Sequence, residues 1–242
     1  FVDMEGMADG RNAASHFQLE AVPLPITSSA FWMSRRSFLQ SRRQGRPLST
    51  KRVEHATRRI AEVIEKTAIG VTTGLQYGVT ANYGRAAKNY GLKNFPSRVT
   101  KTDLTGSNSA TGEQIVDDVL AMRSLAYGAN HYGPFILYVS TGYDDKLDDD
   151  FKANSDKTTR QRIMEIDKIE GVERLDHPYG DEMLLVELDR ETVEAIDGMQ
   201  PTLIQWESQG GMRLDFRVYG IQTLKIAADA DGNCGIVHGT TS

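Results

Sequence analysis

Five histidines, one cysteine and many carboxylates are the side chains of this 242-residue chain best able to hold a metal or move a proton. His16, His55, His131, His177 and His238 are scattered, none is four residues from another, and no H-E-x-x-H occurs. A zinc site would have to be gathered from distant segments. A single cysteine, Cys234, excludes an intrachain disulfide and a cysteine-rich zinc site, and it reads as a buried thiol. Asp144, Asp145, Asp148, Asp149 and Asp150 crowd into "DDKLDDDF". They lack the alternating ligands and the glycine of a calcium loop. They read as the solvated acidic start of a helix, or as an acidic face for a protein partner. "DADGNCG" has Cys234 where such a loop needs glycine, and it reads as a hairpin turn. "GVTTG" and "TGSNSATG" match neither a Walker loop nor a dinucleotide fingerprint, and G-x-S-x-G is absent. No cofactor is implied. The residues are nearly silent on catalysis, which favours a binding or structural role over an enzyme.

The strongest chemical signal is basic. "SRRSFLQSRRQGRPLSTKR" carries Arg35, Arg36, Arg42, Arg43, Arg46, Lys51 and Arg52 without one acid, in a chain with 28 Lys+Arg, 33 Asp+Glu and net charge −5. Arg58 and Arg59 extend it. Arginine forks suit phosphates and carboxylates alike. No aromatics interleave to stack single-stranded bases and no base-reading module is present. The options are therefore a non-specific DNA-facing surface or a subunit interface against an acidic partner such as "DDKLDDDF".

These side chains need elements to hold them. Residues 49–68 predict a long one-faced helix of about 30 Å. Ser49 or Thr50 caps it, Gly70 follows it, and Val53, Ala56, Ile60, Val63, Ile64 and Thr67 form its apolar stripe. Residues 1–26 read as a hairpin with a tip near "MADGRNAAS", and Pro23 and Pro25 mark an edge or projecting strand. Such a hairpin cannot bury itself and needs a partner. Residues 70–110 read as a long irregular surface segment. Residues 111–197 read as α/β. "GEQIVDDVLAMRSLAYG" is a helix with Ile115, Val119, Met122 and Leu125 on one stripe. "PFILYVS" and "EMLLVELD" are buried strands, "GYDDKLDDDFKA" and "TTRQRIMEIDKI" are helices, and "RETVEAIDG" is a short helical turn. Residues 198–242 return to β, with Leu214, Phe216 and Val218 inward and Arg213, Asp215 and Arg217 on a wet face. No apolar run is long enough for a membrane span. Phe1 is not an initiator Met, so residues upstream are expected to have been removed or to be missing.

The order of motifs resembles the tailed-phage major capsid proteins and the related encapsulin shell proteins. The resemblance rests on an extended "VPLPI" segment (Val22–Ile26), a strand at Phe31–Met33, and an R-x-G-x-P-L turn within Arg42–Leu48. It continues through the helix Thr50–Thr67, the glycine-containing "YGLKNFPSR" (Tyr90–Arg98) and the strand-then-helix "GPFILYVSTGYDDKL" (Gly133–Leu147). It implies an α+β Hong Kong 97-type capsid fold. The E-loop hairpin would span 1–30. A peripheral β-rich domain would span 31–110 and 198–242, including the spine helix 50–68. An inserted α/β axial domain would span 111–197. It implies a shell built of pentamers and hexamers around non-specifically bound double-stranded DNA, with portal, scaffold or cement proteins as further partners and no membrane. The alternative is an encapsulin-like compartment around a cargo enzyme. Arg35, Arg36, Arg42, Arg43, Arg46, Arg52, Arg58 and Arg59 would face subunits or DNA, Phe17, Leu19, Val22 and Pro23 would carry inter-subunit contacts of the E-loop, and the five aspartates would form an acidic interface. Two departures stand out. Barely twenty residues precede "VPLP", where an N-terminal arm is expected, and residues 1–50 contain no lysine for the E-loop weld that some members make.

Overall fold

A computed structural model of the chain describes residues 22–45, 48–71, 76–77, 87–153, 155–175, 180–229 and 231–241. The expected hairpin 1–26, with Phe17 and Leu19, lies outside the described residues apart from its last five positions. His16, Arg46 and His177 also lie outside them.

Two sheets organise the chain. Strand β1 (Ile26–Ser34) runs straight into helix α1 (Arg35–Arg43), and helix α2 (Leu48–Ile69) follows a turn at Gln44–Gly45. Short strands β2 (Gln76–Tyr77) and β3 (Ala87–Lys88) pair with each other. Then come β4 (Val99–Lys101), α3 (Gly112–Gly128), β5 (Phe135–Ser140), α4 (Thr141–Asp148) and α5 (Thr159–Met164). The chain ends with β6 (Ile169–Leu175), β7 (Glu182–Glu187), β8 (Val193–Ser208), β9 (Arg213–Ile226) and β10 (Ile236–Thr240). One sheet has order β1-β9-β8 and is wholly antiparallel. The other has order β4-β10-β7-β5-β6, with parallel pairs at both ends.

The five-stranded sheet is buried on both faces. Met183 and Leu185 point into the cluster with α3, α4 and α5, where Ile115, Val119, Met122, Tyr143, Leu147 and Ile163 meet Phe135, Leu137 and Val139. Leu184 and Val186 point the other way, onto Ile69, Leu92, Ile226, Cys234 and Ile236. Alternation with both faces covered explains why "EMLLVE" reads as one apolar run. Thr111 caps α3 in a reciprocal capping box with Gln114. Cys234 is buried, and burial pushes its thiol up to about 11, so it stays protonated.

Among the described residues, the three-stranded sheet is covered on one face only. Ala56 and Ile60 of α2 pack on Val218, flanked by Val53, Ile64 and Phe31. Phe31 stacks on Phe216 at 4.9 Å, and Met33 and Leu214 complete that side. The expected alternation in β9 holds for Leu214, Phe216 and Val218.

Several expectations are corrected. Residues 35–43 form a helix between the expected strand at Phe31–Met33 and the expected turn within Arg42–Leu48. Ser34 accepts from the Ser37 amide at its start, and Arg42 and Arg43 sit at its carbonyl end, where cations are favoured. Val193–Gly198 is strand, not helical turn: a turn at Asp189–Thr192 precedes it, and Val193 pairs with Ile226. The helix read through "IDKI" stops at Met164, and Ile169 opens β6. Leu125 and Val63 are exposed, and Ala126 takes the place of Leu125 in the core. Asp215 is buried, not wet, because Arg213 pairs with it at 2.8 Å and Ser208 bonds it. The "DADGN" turn, held by Asp229 accepting the Asp231 and Asn233 amides, links strands of different sheets and is not a hairpin. Sheet membership also cuts across the boundaries drawn from sequence: β4 and β10 join the α/β sheet, and β8 begins at Val193.

The core makes two measurable demands. Ile115→Ala is expected to lower unfolding stability by about 2–5 kcal/mol, whereas Leu125→Ala costs under about 1 kcal/mol; urea denaturation of both variants checks the contrast. Glu182 sits between strands, with Lys93 Nζ 2.7 Å from its carboxylate and His238 Nε2 3.4 Å away. Burial pushes its carboxyl up, but the His238 and Lys93 interactions outweigh burial and hold it below its ordinary 4.5. Its contribution is present above pH 4.5 and is lost as pH falls through the depressed native value. Glu182→Gln is therefore expected to flatten the acid limb of stability against pH, measured by denaturation at stepped pH; an unchanged limb contradicts this.

Candidate interaction surface

The basic tract does not form one patch; the fold distributes it. Arg35 lies 3.4 Å from Glu207 and donates to the Gly211 carbonyl at 3.3 Å, tying α1 to the β8–β9 turn. Arg36 and Arg43 are exposed. Arg42 lies over the Phe38 ring, 5.0 Å from its centroid. Arg52 donates to the Trp32 carbonyl at 3.0 Å. Arg58 pairs with Glu62 one turn on, and Arg59 is exposed beside β1. Val22 and Pro23 are half-buried just before β1.

The acidic group is partly consumed inside the subunit. Asp144 accepts from Arg160 and Arg174, each at 2.9 Å, and the Arg174 bond leads in holding its carboxyl below the ordinary carboxylate range. Asp148 pairs with Arg160 at 3.1 Å. Lys146 approaches Asp149 at 3.9 Å. Asp145 and Asp150 are exposed and make no ion pair with a described residue. Among the described residues no cluster of His, Cys, Asp and Glu could hold a metal ion, and no helix is long and apolar enough to cross a membrane.

Sequence reasoning missed one exposed feature. The outer face of the three-stranded sheet carries Ile26, Trp32, Met199, Ile204 and Trp206, all substantially exposed. Register brings them together: Trp32, Asp215 and Trp206 lie in one row across the sheet, and Ala30, Arg217 and Ile204 in the next. Arg213 covers the Trp32 ring at 4.7 Å and Arg217 the Trp206 ring at 5.9 Å. Among the described residues, both flanking strands are edges. Gln200–Trp206 of β8 is exposed on both of its faces. Exposed apolar surface of this kind, bordered by cations and open backbone, is chemically a protein-contact surface. The local signal was faint, since only the long-range register places the two tryptophans in one row.

Comparison with known proteins places this geometry. No curated protein matches the sequence. Among solved structures, the chain is similar to the capsid of Myoviridae phage XM1, with a TM-score of 0.72 and 12% identity over 91% of this chain and 74% of that one. It is similar to the virus-like particle from Pyrococcus furiosus, with a TM-score of 0.60 and 15% identity over 89% and 76%. Mycobacterium phage Bobi follows, with a TM-score of 0.59 and 12% identity over 90% and 73%. At these identities the likeness establishes the fold, which is α+β and of the Hong Kong 97 capsid type. The model of a family of unknown function, DUF6260, matches residues 2–239, nearly the whole chain, and the protein belongs to that family.

Proposed function

We propose that this chain is the major capsid protein of a tailed phage, self-assembling into the icosahedral shell that encloses its DNA. The observation that supports this most is the likeness of nearly the whole chain to the phage XM1 capsid. The open, one-sided sheet is its physical counterpart. A subunit whose described residues leave two strand edges and a tryptophan-bearing face uncovered is suited to completion by neighbours. Such contacts join different patches on adjacent copies, and they close into rings when the rotation allows.

In this reading the hairpin 1–30 reaches across a neighbour, the segment 111–197 crowds around the five- and six-fold axes, and the one-sided sheet with α2 forms the flatter wall. Arg35, Arg52 and Arg58 are engaged within the subunit. The exposed Arg36, Arg43 and Arg59 then contact DNA phosphates or neighbouring carboxylates. Portal, scaffold or cement proteins would complete the particle. A second reading, a shell around a cargo enzyme, draws on the weaker likeness to the virus-like particle from Pyrococcus furiosus and is supported less.

Electron microscopy of purified particles, with an assay for nuclease-protected nucleic acid, separates the readings. DNA-filled shells are expected. Shells that lack DNA and hold one enzyme favour the compartment, and monomers that turn over a small molecule contradict both. Charge reversal of Arg42, Arg43 and Arg46 to Glu is expected to cut the yield of DNA-filled particles by about tenfold, through lost phosphate or inter-subunit contacts. Fully loaded particles of normal stability would remove these arginines from assembly.

A further inference from the structure

Glu187, the last residue of β7, is buried, and its carboxylate gathers groups from separate connections. Oε1 accepts the Gly133 amide at 3.0 Å, and Oε2 accepts the Thr192 hydroxyl at 3.2 Å. His131 Nδ1 lies 2.5 Å from the same Oε2. Gly235, just before β10, closes the site from the far side, because a Cβ there would run into Oε2. The β7–β8 and β9–β10 connections carry the chain between the two sheets. They meet at Thr192, whose carbonyl accepts the Ala227 amide at 3.0 Å. Through Glu187 that crossing is tied to the turn between α3 and β5.

The charges of this site are not balanced by a fixed cation. Among the described residues no lysine or arginine bonds Glu187, and His131 is its one titratable partner. The other titratable groups of the neighbouring elements are exposed or engaged. Asp189, Arg190 and Glu191 of the β7–β8 turn are exposed, and Arg190 pairs with Glu194, as does Lys225 of β9. Before β10, Asp229 accepts amides of its own turn, and Cys234 is a buried, protonated thiol. Beside α3, Tyr132 is exposed and Arg123 donates to the Asp167 carbonyl.

A carboxylate only accepts, so Nδ1 carries the proton it shares with Glu187. His131 Nε2 is buried and has no hydrogen-bond partner among the described residues. A neutral ring leaves only a lone pair bare there. An imidazolium adds an N–H at Nε2, and a buried charged donor without an acceptor is costly. Acid therefore sets two demands against each other: Glu187 attracts the cation, while the site offers no acceptor for its second N–H. Turning the ring toward water satisfies Nε2 and gives up the Nδ1 bond. Glu187 is then a buried carboxylate without a titratable partner, and hydrating it loosens its hold on Thr192 and Gly133. We propose that His131 is an acid-released latch on the crossing between the two sheets.

Hydrogen–deuterium exchange of the full-length chain in solution, corrected for intrinsic rates, tests this at steps from about pH 8 to about pH 5, the span in which histidine side chains change charge. Exchange at Gly133 and at residues 188–193 is expected to rise about tenfold across that span, as for the loss of one buried hydrogen bond, while the β7 amides hold. His131→Asn keeps a donor near the Nδ1 position but cannot titrate, and it is expected to make exchange at the crossing independent of pH. A flat wild-type profile, or a His131→Asn profile that still rises in acid, overturns the latch. Should His131→Asn fail to fold, Thr192→Val decides. It leaves His131 in place, so acid is expected to act on Gly133 but no longer on residues 188–193, and a profile like that of wild type overturns the proposal. None of these outcomes bears on the shell reading.

Discussion

The packing of one helix on one face of a three-stranded sheet is the constraint from which the rest of the molecule follows. Ala56 and Ile60 of α2 seat on Val218 beside the Phe31–Phe216 stack, and this contact takes up most of the apolar stripe of the helix, Val63 apart. Nothing within the described residues covers the other face or the β1 and β8 edges. A sheet in that state exposes backbone donors and apolar side chains that isolated soluble proteins usually hide. In the proposed shell, self-association would resolve the exposure. The same α2 carries Ile69 at its far end into the second core, so the open sheet is held firmly to the five-stranded one.

That five-stranded sheet is the contrasting half. It is covered on both faces, its central strand β7 alternates between two cores, and its ion pairs close within the subunit. Lys101 is an example. It lies buried between Asp103 at 2.7 Å and Asp118 at 3.2 Å; burial opposes its charge, yet the two carboxylates outweigh burial and raise its pKa. In the proposed shell, a self-satisfied block joined to an unsatisfied sheet would divide the labour between the two halves of the subunit. One half keeps its shape, and the other half is finished by contact.

Much of this was legible in the sequence, and the misses share a cause. The α2 helix was readable because its stripe is local, although it begins at Leu48, so that Ser49 and Thr50 lie inside it and do not cap it; β5 and β7 were readable because their apolar runs are short and dense. Helix α1 was not, since "RRSFLQSRR" offers only Phe38 and Leu39 as apolar residues and owes its form to the Ser34 cap and the arginines at its end. Val193–Gly198 was misread because its strand state comes from pairing with β9 far along the chain. The arginines themselves were conspicuous, but the way the fold scatters them was not. That β1 is an edge depends on β9 and β8 both lying on its other side, and no local pattern records this. The burial of Asp215 was hidden for the same reason, its partners being Arg213 and Ser208 around the hairpin turn.

The central claim is that the one-sided sheet is completed by other copies. Hydrogen–deuterium exchange of the amides in Ile26–Ser34 and Met199–Trp206, compared between dissociated chain and assembled particles, tests it most directly. Strong slowing of exchange in both strands on assembly is predicted, while the amides of β7 stay protected in either state. Exchange in β1 and β8 that is equally fast in assembled particles would contradict the claim.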